Sequence, residues 1–337
     1  MFKRKSVLSV AVCVFTLILV LSACGGGANQ AGGSTNTTAQ NTGTKAAAEA
    51  NGNTEATAAG TRTYDTVKGP VEIPVKPKRI VTDFYAGELL AVGGNVVGAE
   101  PDAFNNPFLK DLLANTEDVG ANPVNLEKTL ELAPDLIVVM YDENYDELSK
   151  IAPTLYLPYG TTTDIHNTVE TFGDIVGEPE KAKAFLADYD QKAAEGREKL
   201  KSVVKDADTF GIYELTNKGE LWIFGDNAGR GGQVLYNALK LKGPEKWDPK
   251  ESTFQLSLEA LPEYAADYMF LTTYDPDKTG EALNNLKASP VWRNIDAIKN
   301  NKVFYNDFDT FYRYDPIAIK EQIGLFVDMI IASNKGK

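Results

Sequence analysis

Sulfur is nearly missing from this chain. Its 337 residues include two cysteines, Cys13 and Cys24, both close to the start, so everything after Cys24 lacks a thiol. A disulfide framework, a thiolate metal centre and a cysteine nucleophile are therefore excluded from the folded part. Histidine is as scarce, with His166 alone. A zinc or manganese site built from several imidazoles is impossible, and no G-x-S-x-G elbow signals a serine nucleophile with a histidine base. His166 stands beside Asp164 at an expected helix start, where a capping or surface role suits it. Positive charge is also short: 34 Lys and Arg face 47 Asp and Glu, for a net charge of -13. That balance repels nucleic acid and anionic lipid. The acidic residues show no spacing that marks a glycosidase pair, and no fixed-period repeat is visible.

The first feature that is present is a leader. Lys3-Arg4-Lys5 precede an apolar run from Ser6 to Val20, which closes on Leu21-Ser22-Ala23-Cys24. A spanning helix needs about 20 apolar residues, so this shorter run with small residues before a cysteine reads as a cleaved signal peptide over 1–23. Cys24 is the expected lipidation site, which puts the protein on the extracytoplasmic face of a bacterial cell membrane, held by lipid. Residues 24–61 are mostly Gly, Ala, Asn, Thr and Gln. A segment that can bury so little apolar surface is expected to be a flexible tether.

The remainder reads as α/β in two parts. Apolar runs at Ile80-Val81, Leu136 to Met140 and Leu155 to Leu157 are short, bounded by Pro or Gly, and alternate with helical patterns. They predict an N-terminal α/β lobe over 62–178. Strands at Phe210 to Leu215, Leu221 to Phe224, Tyr268 to Thr272 and Val303 to Tyr305 predict a second lobe over 205–337. Helices are expected there at Gly232 to Leu239, Ser257 to Tyr264 and Pro316 to Ser333. Between the lobes, 179–204 opens on proline and carries Ala182, Phe185, Leu186, Tyr189 and Ala193 near helical spacing, predicting one connecting helix ~39 Å long. The expected fold is two Rossmann-like lobes joined by a single long α-helix, and a rigid connection of that kind limits hinge motion.

Ligands of open α/β sheets bind beyond the carboxyl ends of the strands. Applied here, that rule selects Tyr85, Tyr141 and Tyr159 in the first lobe. In the second it selects Glu214, Phe224 with the loop to Arg230, Tyr274, and the cluster Phe311-Tyr312-Arg313-Tyr314. Tyrosine supplies a stiff face with a hydroxyl tip, and arginine a forked, permanently charged donor. Together they suit a bulky ligand with an apolar skeleton and oxygen-rich groups. The loop Gly225 to Gly232 follows a strand and precedes a helix, where glycines allow close backbone approach and helix amides favour an anion. It lacks both the G-x-G-x-x-G spacing and a G-K-[ST] ending, so dinucleotide and P-loop readings are weak.

Several segments together resemble a known family. Pro77-Lys78-Arg79-Ile80-Val81, Ala133-Pro134-Asp135-Leu136-Ile137, Gly225-Asp226-Asn227 with Gly229-Arg230-Gly231-Gly232, Ser257-Leu258-Glu259 and Ser289-Pro290-Val291-Trp292 are similar to the siderophore-binding lipoproteins of Gram-positive ABC importers. The stretches around Arg230 and Tyr312 resemble the ferric hydroxamate-binding branch most. The resemblance implies a class III substrate-binding protein, working as a monomer with a permease and its ATPase. Iron would be held by the siderophore, with no metal on the protein and no cofactor. Arg230 would donate to iron-coordinating oxygens, Tyr312 would stand where some relatives carry a tryptophan, and Tyr85, Tyr141, Tyr159, Phe311, Arg313 and Tyr274 complete the expected ligand set. Glu127 and Glu259 would dock on permease arginines. The chain departs from some relatives at Ala228, where they carry a tryptophan, and the more open pocket admits a mixed citrate-hydroxamate complex beside a trihydroxamate. Ferric catecholate, haem or cobalamin suit the same architecture. Catecholate would call for a basic cluster, and haem for an axial ligand such as Tyr85, Tyr141 or Tyr312. An extracytoplasmic hydrolase finds no nucleophile, metal set or cofactor loop to support it.

Overall fold

The computed structural model describes residues 60–334 apart from 163, 228, 251 and 252. The signal segment, Cys24, nearly all of the tether and Ala228 lie outside the described residues.

A hairpin of β1 (Thr61–Thr66) and β2 (Gly69–Pro74) comes first. An all-parallel sheet follows, with β3 (Ile80–Thr82), β4 (Val96–Ala99), β5 (Glu117–Asp118), β6 (Leu136–Val139) and β7 (Thr154–Tyr156) in the order β5-β4-β3-β6-β7. Its helices are α1 (Ala86–Ala91), α2 (Leu126–Glu131), α3 (Tyr145–Leu148) and α4 (Ile165–Val176). Helix α5 (Pro179–Leu200) leads to the second sheet, β8 (Phe210–Thr216), β9 (Leu221–Ile223), β10 (Phe254–Leu256), β11 (Tyr268–Tyr274) and β12 (Val303–Asn306), ordered β10-β9-β8-β11-β12. There β8, β11 and β12 are parallel, while β9 is antiparallel to β8 and to β10. The remaining helices are α6 (Leu261–Tyr264), α7 (Glu281–Ala288), α8 (Pro290–Asn294), α9 (Asp296–Lys299), α10 (Phe308–Phe311) and α11 (Pro316–Asn334).

The central strands are buried along nearly their whole length because both faces are covered. In β6, Leu136 and Val138 enter one core while Ile137 and Val139 enter another. In β11, Tyr268 and Phe270 face one core and Met269 and Leu271 the other. The largest core runs from Leu136 and Val138 through Phe172, Leu186 and Tyr189 to Ile212, Phe270 and Phe326, so a single apolar body spans both sheets. Helix α11 packs on α1, α4 and α5, which ties its own sheet to the other.

Several local expectations shift. Helix α5 stops at Leu200 and the chain turns before Val204. The helix expected over Ser257 to Tyr264 is confined to α6, and the one expected over Gly232 to Leu239 is a π-helical turn over Gln233–Ala238.

Candidate ligand-binding cleft

The carboxyl edges of the two sheets carry the loops that meet. After β3, the buried carboxylate of Asp83 accepts the backbone N–H groups of Met140 at 2.7 Å and Tyr141 at 3.1 Å, fastening the loop after β3 to the loop after β6. Burial raises Asp83 to about 6 despite those two donors. Tyr85 is buried, donates its hydroxyl to the carbonyl of Leu157, and sets its ring edge-on to Phe84. Burial pushes the Tyr85 and Tyr314 phenols far up, so both stay neutral donors.

Two hollows share a wall here. A chamber of about 300 Å³ is lined by Phe84, Tyr85, Glu88 and Tyr159 from the first sheet's side and by Asn227, Gln233 and Tyr314 from the second's. A smaller space of about 60 Å³ lies among Glu100, Asp102 and Asn106 on one side and Tyr312, Arg313 and Asp315 on the other. Phe84, Glu88 and Tyr314 border both.

The second sheet's contribution centres on Arg230. Its Nε donates to Glu214 Oε2 at 2.6 Å, and its guanidinium lies 4.5 Å from the ring centre of Phe224 and 4.4 Å from that of Tyr312. Among the described residues the Nη groups of Arg230 have no hydrogen-bond partner, which leaves the outer fork of donors for a ligand. Beyond it, Tyr312 stacks on Phe308 at 4.7 Å and Phe308 meets Tyr274, forming an aromatic ledge. Arg230 itself has φ +67, and Gly231 next to it has φ +101 with Phe326 lying 2.1 Å from where a Cβ would stand. Only glycine fits that position.

The route to Arg230 differs from the strand-end expectation. Because β9 is antiparallel, its end at Ile223 pairs with Tyr213, and Phe224 N–H bonds the Ile212 carbonyl, toward the amino half of β8. The loop reaches the site by returning to Glu214, not by leaving the carboxyl edge. The expected anion-binding helix start is also spent, because the N–H groups of Val234 and Leu235 both bond the Gly231 carbonyl.

Of the sequence-selected tyrosines, Tyr85 and Tyr159 line the chamber, while Tyr141 and Tyr274 stand outside its lining. Tyr159 is exposed on the chamber rim, Tyr141 is half-exposed with its ring edge-on to Phe84, and Tyr274 ends the ledge. Phe311 and Arg313 do something else. Phe311 is buried against Phe326 in the core. Arg313 is 7% exposed and donates through Nη1 to Asp102 at 2.7 Å and through Nε to the Asp309 carbonyl at 3.1 Å, so it links the two sides. Asn106 Nδ2 makes a parallel link to Asp315 Oδ2 at 2.8 Å. Asp315 also accepts the Ala318 N–H at 3.0 Å at the start of α11. Gly87 of α1 comes so near that its Cβ would stand 2.5 Å from the Asp315 side chain.

Sequence reasoning missed Phe84, Glu88, Glu100 and Gln233. Glu88 sits among Ala86, Gly87 and Leu89, all buried, and a lone carboxyl on an apolar helix face was the available signal. Burial and neighbouring Asp315 push it well above its ordinary value, and burial lifts Glu100 to about 8. Glu127 and Glu259 lie elsewhere, each exposed just beyond the carboxyl edge of its own sheet, in the first turn of α2 and after β10. Among the described residues neither has an ion-pair partner.

Comparison with known proteins fits this arrangement. A family model described as periplasmic binding protein matches residues 80–310. The chain belongs to that family. It is 49% identical over 332 residues to the iron(3+)-hydroxamate-binding protein YxeB of Bacillus subtilis, covering 97% of each chain. Among solved structures it superposes on a FhuD fold-family protein of Bacillus subtilis, described as a component of a ferrichrome ABC transporter. That match has a TM-score of 0.72 and 33% identity, over 79% of this chain and 99% of the other. FhuD2 of Staphylococcus aureus with bound ferrioxamine B gives a TM-score of 0.68 and 27% identity, over 77% and 100%. The architecture is that of a class III binding protein, two α/β sheets bridged by one long helix. The family match ends before Tyr312, so Tyr312, Arg313 and Asp315 lie just past it, while Phe308 and Tyr274 of the ledge fall inside it.

Proposed function

We propose that this protein is an extracytoplasmic binding protein that captures a ferric hydroxamate siderophore in the cleft and delivers it to an ABC permease. The observation that carries the reading is Arg230, held by Glu214 between Phe224 and Tyr312 with its Nη donors unspent among the described residues, in the same chain stretch as Asn227 and Gln233, which line the chamber of about 300 Å³. Hydroxamate oxygens around ferric iron offer acceptors to those donors, and the rings cover the apolar linkers. The relative named YxeB, matched along 97% of this chain, supports the same ligand class. Iron is cargo in this reading and the siderophore supplies its ligands.

Glu127 and Glu259, exposed beside the carboxyl edges of the two sheets and without an ion-pair partner among the described residues, serve as docking points for permease arginines. Cys24 carries the lipid that keeps the protein at the membrane. The test is a titration of residues 61–337 with ferric and iron-free hydroxamate, catecholate and citrate siderophores and with haem, read by calorimetry and by fluorescence of Trp222, Trp247 and Trp292. Submicromolar binding confined to ferric hydroxamates is the expected result. Silence toward all of them, or a preference for haem or catecholate, overturns the reading.

A further inference from the structure

The carboxyl ends of β8, β11 and β12 carry a row of polar side chains on a sheet face that is otherwise apolar. Glu214 pairs in register with Thr272, and Thr272 with Asn306. Register partners in a parallel sheet share a face, here the one that Phe210, Ile212, Tyr268 and Phe270 turn to the largest core. Each member of the row is more than nine-tenths buried. The row also underlies the site. Glu214 holds Arg230, β11 runs on from Thr272 to Tyr274, and the chain leaves β12 at Asn306 for Phe308 and Tyr312 of the ledge.

The row is unfinished. Arg230 Nε occupies Glu214 Oε2, and among the described residues Oε1 has no protein donor while it stays within reach of water. One strand over, Thr272 Oγ1 is buried with no hydrogen-bond partner among the described residues, and one strand further the same holds for Asn306 Nδ2. Neighbouring strands lie about 4.8 Å apart, so each unspent donor stands at side-chain reach of the next acceptor. Polar groups left unpaired in a core are rare enough to call for a reason.

We propose that Thr272 and Asn306 are positioning residues for ligand capture. A ligand seated on Arg230 takes water away from Glu214 Oε1. The Thr272 hydroxyl then rotates to donate to that oxygen, and the Asn306 amide donates to the hydroxyl. The completed row fixes the carboxylate and, through it, the direction of the Arg230 fork. This rests on Arg230 receiving the ligand, as in the siderophore reading above, and adds two residues that act without touching the ligand.

The test is Thr272→Val, which keeps the shape and removes the hydroxyl, with Thr272→Ser as the rescue. Calorimetry with one ferric trihydroxamate should show a Kd about tenfold weaker in Thr272→Val, the size of one hydrogen bond to a charged group, and a value near wild type in Thr272→Ser. Thermal melting without ligand supplies a readout that packing alone would not move. With Arg230 in place, Thr272→Val should leave the Tm unchanged or raise it, because the hydroxyl it removes is unpaired. In an Arg230→Ala background that hydroxyl is the donor left to Glu214, only partly replacing the guanidinium, and the same change should lower the Tm. Unchanged affinity in Thr272→Val, or an equal Tm shift in the two backgrounds, overturns the row and leaves the siderophore reading standing. Failure of the wild type to bind the ferric trihydroxamate defeats the siderophore reading, and the melting comparison by itself then decides whether Thr272 serves Glu214.

Discussion

Arg230 and Glu214 are joined by a 2.6 Å contact in which both side chains are largely buried, and the arginine takes this position from a backbone at φ +67. The pair does two things at once. It aims the outer guanidinium donors along the Phe224 and Tyr312 rings, and it neutralises a carboxylate that sits within the second sheet.

Replacing Arg230 by Ala therefore removes ligand affinity and strands Glu214 without a partner. The unfolding free energy should fall by about 3 kcal/mol. Glu214→Gln added to that change should recover a good part of the stability and none of the affinity. Denaturant unfolding and calorimetry on the two variants separate the roles.

The proposed docking role of Glu127 and Glu259 predicts a different split. Glu127→Ala with Glu259→Ala should leave the ligand dissociation constant within about twofold, since exposed side chains away from the site rarely shift stability by more than ~0.5 kcal/mol. The same double variant should lose ligand-dependent stimulation of ATPase activity in vesicles holding the permease. Loss of ligand capture in it would contradict the division of sites.

The carboxyl groups at the junction make stability depend on pH in a definite direction. Glu100, raised from 4.5 to about 8 by burial, binds its proton more tightly in the folded state than in the unfolded chain. Its contribution is therefore fully present in acid and is lost as pH rises from about 4.5 through about 8. Asp83, Glu88 and Asp315 are shifted in the same direction. Unfolding measured between about pH 5 and 9 should show wild type losing stability relative to Glu100→Gln as pH rises. Parallel curves would show that the carboxyl is not held as an acid.

Gly87 offers a steric test. An alanine there would place Cβ 2.5 Å from Asp315, so Gly87→Ala should destabilise by roughly 1–3 kcal/mol by overpacking. Because the Asp315 Cβ is itself among the clashing atoms, Asp315→Gly in the same chain should relieve the clash. Thermal melts of the single and double variants give the comparison.

What could be read in the sequence follows from where the physics is local. Strands β6 and β11 are legible because burial on both faces demands unbroken apolar runs. In contrast, β4 is only four residues with a glycine in it, and β1 alternates half-buried with exposed positions outside the main cores. The strand-end rule found Tyr85, Tyr141 and Tyr159, since a parallel sheet fixes which edge faces the ligand. It misjudged the path to Arg230, because nothing in Leu221-Trp222-Ile223 records that β9 runs the other way. Arg313 looked available and is spent on Asp102, a partner 211 positions away that no local pattern announces. The burial of Glu88 and Glu100 is likewise set by what packs over them.

Helix α11 has a consequence for the order in which the molecule is completed. Both sheets are made from continuous stretches of chain, and α11 follows all of their strands while packing on α1, α4 and α5. Domains form as units from the N-terminal end during synthesis. The first sheet can thus be finished while its acidic edge is still bare to water. The junction at Gly87 and Asp315 can close only once α11 is in place, because Asp315 stands at the start of that helix.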